Sequence, residues 1–242
     1  MTALARALPV VAGLLLAAVA TGVARADEMN CRPEAGLARA TAARIEREWP
    51  LRPDDAVTKF VRRLGRRLAE AAPESPYPWT FTVVRDRSAN AFAIGGGAVY
   101  VHDGTIAAAR NEAEVAAVLA HEMGHELAGH FCIVTSWPGL LDDLFPRAPS
   151  DGRQVGSMRQ TVDPARERAA DRLSLPILEA AGYDPRAALD IAQRSACDGP
   201  DLRRRTDELA VLVRGVSPGG ARDLDRRAFD AARRQVVAEL DR

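Results

Sequence analysis

The stretch AHEMGHELAGH, residues 120–130, holds three of the four histidines in the chain. In a helix, residues four apart differ by about 40° around the axis, so His121 and His125 share a face and can converge on one metal ion. Glu122 sits beside that face, close enough to reach a water on the metal. The arrangement His-Glu-x-x-His is that of a zinc hydrolase with a carboxylate as general base. His130 is nine residues from His121, about half a turn around the same helix. It is expected to point away from the metal, near the helix C-terminus, where its proton is favoured.

A tetrahedral catalytic zinc needs three protein ligands and one open position. A common extension of the motif places a third histidine six residues after the second. Here the spacing is five, and Phe131 stands one residue further on. The one other histidine, His102, falls on an expected strand. A better candidate is ARERAAD, residues 165–171. Glu167 lies early on its own helix, and Asp171 follows one turn later on the same face. The pair offers a ligand and a carboxylate to take the second N–H of a ligating histidine, which fixes its tautomer and orientation.

Outward from the motif, the chain reads as helices around one small sheet. Asn111, with Glu114 three residues on, is a capping-box-like start for the motif helix. Before it, WTFTVVRD (79–86) alternates and is β-branched, as a strand should be. SANAFAIGGGAVYVHDG (88–104) reads as strand, glycine turn, strand. Residues 33–48 and 54–72 read as helices; Asp54 can cap the second, whose Val57, Val61, Leu64 and Leu68 recur at helical spacing. After the motif, residues 131–162 are irregular. Asp163-Pro164 is a good cap and first turn for a helix to about Ala181. Further helices are expected to about Cys197, over 201–214 and over 221–241. The fold class is α+β, mostly helical, with one small antiparallel sheet.

Composition excludes several functions. Formal net charge is zero, from 33 basic and 33 acidic residues, with no basic run, so nucleic acid is not an expected partner. Arg6, an uncharged stretch from Ala7 to Ala24, and Ala24-Arg25-Ala26 read as a signal peptide with an A-x-A cleavage site. Cleavage there leaves 27–242 as a single exported domain of charge −2, since Arg6 and Arg25 are removed and no acid is. No stable membrane insertion is expected after cleavage; the alternative is an uncleaved N-terminal membrane anchor. Cys31, Cys132 and Cys197 allow one disulfide and one free thiol, in any of three pairings. FCIVTSWPGLLDDLF (131–145) is apolar for a loop: a lid, a membrane-touching patch, or, more commonly, core packing.

Four segments occur in order: NAFAIGGGAVYVHDGTI, NEAEVAAVLAHEMGHELAGH, ERAADRLSL and AGYDP. Together they resemble the HtpX-like and CAAX-prenyl-protease-like zinc metallopeptidases of peptidase family M48, over roughly residues 35–215. The resemblance implies a gluzincin fold, with an active-site helix under a short sheet whose edge strand holds extended substrate. It implies one zinc per chain on His121, His125 and Glu167, Glu122 as catalytic base, and Asp171 orienting a zinc-bound histidine, His121. Members usually carry His-Pro near the C-terminus followed by an arginine. In CDGPDLRRRTDEL, Pro200 and Arg205 match, but Gly199 stands in the histidine's place. If that histidine stabilises the oxyanion in relatives, another donor is needed here, with Arg204, Arg205 and Tyr183 as candidates. The span between the histidines and Glu167 is also short, which leaves less helical cover over the cleft.

The expected function is peptide hydrolysis in the cell envelope or periplasm. Zinc lowers the pKa of its water and polarises the scissile carbonyl, while Glu122 takes the water proton and passes it to the leaving amine. The polypeptide substrate is expected to lie along Gly97, Ala98 and Val99, up to Val101, as an added strand. The rivals are a degenerate protease fold that binds misfolded envelope proteins without cutting them, and a hydrolase of non-peptide substrates. Glu122 opposes the first, since a scaffold has no use for a base beside its metal. The sequence leaves oligomeric state and cleavage specificity open.

Overall fold

A computed structural model describes residues 32–75, 77–131, 163–195, 200–216 and 219–242. The signal segment 1–26, the three cysteines, residues 132–145 and Gly199 lie outside the described residues. The elements are α1 (Arg32–Glu48), α2 (Ala56–Ala71), β1 (Thr80–Val84), β2 (Ala91–Ala93), β3 (Ala98–His102), α3 (Asp103–Ala108), α4 (Glu112–Leu127), α5 (Pro164–Ala180), α6 (Arg186–Ser195), α7 (Pro200–Arg214) and α8 (Arg226–Leu240). The class is α+β, as expected. The short helix α3 was not legible; it follows β3 directly, with Asp103 in its first turn.

Helix starts follow local chemistry. The Asn111 side chain accepts from the Glu114 N–H, and Asp163 accepts from the Ala165 N–H with proline in the first turn. The cap of α2 is Asp55 rather than Asp54: its carboxylate accepts from the Thr58 N–H at 3.0 Å. Asp54 instead pairs with Arg62 and Lys59 on the surface.

The sheet is mixed, not wholly antiparallel, with strand order β1-β3-β2. β2 and β3 form the expected antiparallel hairpin, with Phe92 opposite Tyr100. β1 runs parallel to β3, with Phe81 opposite Val99 and Val83 opposite Val101. The physical reason is the connection through residues 85–90. It carries the chain past the position of β3 to the far edge, a span of about 10 Å that six residues cover easily. Three consecutive glycines, Gly95, Gly96 and Gly97, have φ of 86°, 63° and 78° and turn the chain back into β3. Few other residues adopt such a run.

One sheet face packs on helices, the other on α1. Phe81, Val83, Ala93, Val99 and Val101 join the main core with α2 and α4. Val84, Phe92 and Tyr100 face the opposite way, with Ile45 and Trp49. This period-two split is what a strand buried on both faces produces. The guanidinium of Arg52, fully buried, binds Asp55, Asp103 and Glu239 at 2.6–2.7 Å, joining α2, α3 and α8. Within this frame α4 lies between β2 and α5, which sets up the site.

Candidate metal centre

α4 supplies two histidines one turn apart, and α5 supplies Glu167 from its first turn. His121 Nε2 and His125 Nε2 lie 3.1 Å apart. The Glu167 oxygens lie 3.2 Å from the first and 3.3 Å from the second. Zinc bonds of about 2.0–2.1 Å in tetrahedral geometry place donors about 3.3 Å apart. The three atoms therefore form one face of such a tetrahedron, and these residues could hold a metal ion. The outer nitrogens are also engaged, which leaves Nε2 of each ring as the inward donor. His121 Nδ1 lies 3.0 Å from Asp171 Oδ1. His125 Nδ1 lies 2.8 Å from His130 Nδ1.

The electrostatics are those of a buried charged cluster. Burial disfavours the charged form of His121, but Asp171 and Glu167 outweigh it and push the imidazole up to about 9. Burial would raise Glu167; hydrogen bonds from His121 and His125, with the charge of Arg205, hold it well below the usual carboxylate range. Asp171 is brought down to about 2 against burial, by Arg205 and then His121. Burial pushes Glu122 up, offset in part by His121 and His125. His130 is pushed down to about 4 by burial, then by His125 and Arg166, so its ring is neutral at pH 7.

Glu122 is fixed to the sheet: its Oε2 accepts from the Ala93 N–H at 3.1 Å. One turn later, Glu126 Oε1 accepts from the Gly97 N–H at 3.1 Å. Two carboxylates of one helix thus hold both ends of the glycine turn. The spacing of Glu126 from Glu122 carried that signal, and the sequence reading passed over it.

Three expectations are corrected. Gly97, Ala98 and Val99 do not belong to an edge strand, because β3 is central and paired on both sides. The Gly97 carbonyl accepts from the Thr80 N–H and its own N–H goes to Glu126. The edge beside Glu122 is β2. His102 N–H donates to Asn90 O, and Ile94 N–H donates to Ala98 O. Antiparallel ladders alternate, so Ala91 and Ala93 turn their N–H and C=O groups away from β3.

The second correction concerns the oxyanion candidates. Tyr183 is buried, and its hydroxyl donates to Glu112 Oε1 at 2.5 Å. Glu112 opens α4, about 13 Å along the axis from His121. Arg204 is exposed and pairs with Glu208 at 3.1 Å. Arg205 alone of the three enters the site, where it binds Glu167 Oε2 at 2.6 Å and both Asp171 oxygens at 2.8 and 2.9 Å.

Third, His130 does not point away from the candidate metal donors but onto His125. The helix ends at Leu127, and Gly129 at φ 66° turns the chain back. The sign was present in the sequence, since glycine just past a helix end commonly adopts the left-handed conformation. His102, the other histidine considered, is buried and contacts Ser88 Oγ at 2.8 Å, away from this cluster.

A helix bearing His-Glu-x-x-His, a glutamate from a second helix and a strand hydrogen-bonded to Glu122 make the arrangement of a metallopeptidase. The comparisons agree: residues 55–144 match the model of Peptidase family M48, so this part of the chain is similar to that family. Its relatives include a putative beta-barrel assembly-enhancing protease of Vibrio cholerae serotype O1, 32% identical over 163 residues, 59% of this chain and 34% of the relative. The beta-barrel assembly-enhancing protease of Escherichia coli K12 is 26% identical over 209 residues, 72% of this chain and 43% of the relative. The mitochondrial metalloendopeptidase OMA1 of Schizosaccharomyces pombe is 27% identical over 146 residues, 57% of this chain and 43% of the relative. The match thus spans less than half the length of each of these relatives. Among the described residues, no helix is long and apolar enough to cross a membrane.

Proposed function

We propose that the chain is an exported zinc endopeptidase that cuts extended or misfolded polypeptides of the cell envelope, with one zinc per chain on His121, His125 and Glu167. The observation that carries this reading is the donor triangle of 3.1–3.3 Å beside a buried glutamate. Zinc bound there would supply Lewis-acid activation of water and of the scissile carbonyl. Glu122 accepts the proton of the attacking water and returns it to the leaving amine. Burial, by raising its pKa, brings this carboxylate nearer to the working pH of a base that must also act as an acid. Ala93 N–H fixes Oε2, so the proton transfers are assigned to Oε1. Asp171 holds the Nδ1 of His121, and Arg205 holds Asp171 and Glu167 together. The substrate strand adds to β2, pairing with the outward groups of Ala91 and with the Ala93 carbonyl.

The test is casein cleavage with zinc content measured on the same sample. Wild type should hold about one zinc per chain and cut. Glu122→Gln should keep its zinc and lose at least about 100-fold in rate, the least that loss of a general base costs. If both hold zinc and neither cuts, the second reading takes over: a binding module for unfolded envelope proteins, which Gly199 in the place of the family histidine favours. The mass of the purified protein tests export, since cleavage is expected after Ala26. An intact N-terminus in a membrane fraction would mean an anchor.

A further inference from the structure

The Nδ1 atoms of His125 and His130 lie 2.8 Å apart, with ring centroids 4.9 Å apart and planes at 64°. Two imidazoles at that distance share one proton. If His125 binds metal through Nε2, its own proton is on Nδ1. Nδ1–H of His125 then donates, and His130 Nδ1 accepts, with the His130 proton on Nε2. The turn that brings the rings together is anchored by backbone bonds. Gly129 N–H donates to Glu126 O at 2.9 Å, and His130 N–H donates to His125 O at 3.1 Å. A continued helix would carry residue 130 about 140° away from residue 125.

We infer that His130 is a positioning residue for the metal centre: as a neutral acceptor at Nδ1 it fixes the tautomer and the orientation of His125. Asp171 serves His121 in the same way, so each ligand histidine has its own outer partner. The two partners differ in charge. A carboxylate makes its histidine more basic, whereas an imidazole leaves the ring neutral overall and adds no charge to the centre. The two nitrogen ligands are therefore unequal, and His125 is held by geometry more than by electrostatics.

The inference rests on the zinc reading above, and its test separates the two. Zinc affinity is measured by chelator competition on the full chain for wild type, His125→Ala, His130→Leu and His130→Asn, with thermal melting of each protein and the visible spectrum of each cobalt(II)-substituted protein. Leucine keeps the bulk and removes the acceptor. Asparagine places an acceptor oxygen where Nδ1 was. His130→Leu should bind zinc about 10–100-fold more weakly, the usual cost of losing an outer partner, and should shift the cobalt spectrum. His130→Asn should restore most of the affinity and the wild-type spectrum. Equal affinity and spectrum in His130→Leu and wild type would overturn the inference, and so would His130→Asn binding as weakly as His130→Leu. If His130→Leu fails to fold, His130→Ala replaces it with the same expected outcome. If wild type binds no zinc, or His125→Ala binds it as tightly as wild type, the metal-centre reading itself fails.

Discussion

Gly124 of α4 packs directly on the backbone of Ala170 in α5: a Cβ built on Gly124 would lie 2.5 Å from the Ala170 carbonyl oxygen and 3.0 Å from its Cα. No side chain fits between the two helices at this level. The crossing lies one residue before His125, and Glu167 sits three residues before Ala170. Close approach here is what brings the glutamate of one helix onto the histidines of the other. Gly124→Ala must push α5 outward. It should cost about 1–3 kcal/mol in urea unfolding, as overpacking does, and weaken zinc binding in parallel. Normal stability with normal zinc affinity would show that the centre tolerates a wider crossing.

Asp171 contacts His121 and Arg205 together. Asp171→Ala removes both contacts and should raise the zinc dissociation constant by about 10–100-fold. Asp171→Asn retains an acceptor for the His121 Nδ1–H but loses the charge that binds Arg205. Its affinity should fall between those of Asp171→Ala and wild type. An asparagine variant as weak as alanine would assign the effect to the Arg205 ion pair rather than to histidine orientation.

Tyr183 joins the start of α4 to the chain before α8, because its partner Glu112 also accepts from the N–H groups of Leu224 and Asp225 at 2.9 and 2.6 Å. Tyr183→Phe leaves that buried carboxylate one bond short and should cost about 1–3 kcal/mol in stability. Its peptidase rate should stay close to wild type at a temperature where both are folded. Loss of an oxyanion donor would instead lower kcat by about 100–1000-fold.

Acid should unfold the chain partly through Asp55 and Asp184. Burial alone would raise both. Asp55 is nonetheless lowered by the Thr58 N–H and Arg52, and Asp184 by Arg186 and Arg222. A carboxyl whose folded pKa is depressed contributes stability above its unfolded pKa, 3.8 here, and loses it as pH falls through the folded value. The urea midpoint should therefore fall as pH drops below about 5. Asp184→Asn should be less stable than wild type at pH 7 and converge with it in acid. Parallel curves at all pH values would remove Asp184 from the acid response.

The sequence was legible where chemistry is local. Asn111 and Asp163-Pro164 mark helix starts by offering acceptors to the first free N–H groups, and both caps are in place. The hairpin of β2 and β3 follows from three glycines and alternating residues. His121 and His125 converge because four residues make just over one turn. Glu167 and Asp171 were legible as a pair one turn apart, and the fold sets that pair against the two histidines. Other features depended on contacts between distant segments. Nothing within residues 79–102 says whether β1 pairs beside β2 or beside β3, because both orders bury the same alternating faces. That choice moved the free edge from Gly97–Val99 to Ala91–Ala93.

The rest divides by the range of the forces involved. The sequence by itself determined the candidate metal donors His121 and His125, the neighbouring Glu122 and the helix that carries them, because spacing along a helix converts directly into direction. Only the tertiary structure decided what lies behind those donors. Tyr183 went to Glu112, Arg205 to Glu167 and Asp171, and His130 back to His125. Tyr183 is buried and Arg205 and His130 are partly buried, and each found its polar partner among residues remote in sequence or across a reversed turn. The close crossing at Gly124 and the left-handed turn at Gly129 fixed which partner was within reach.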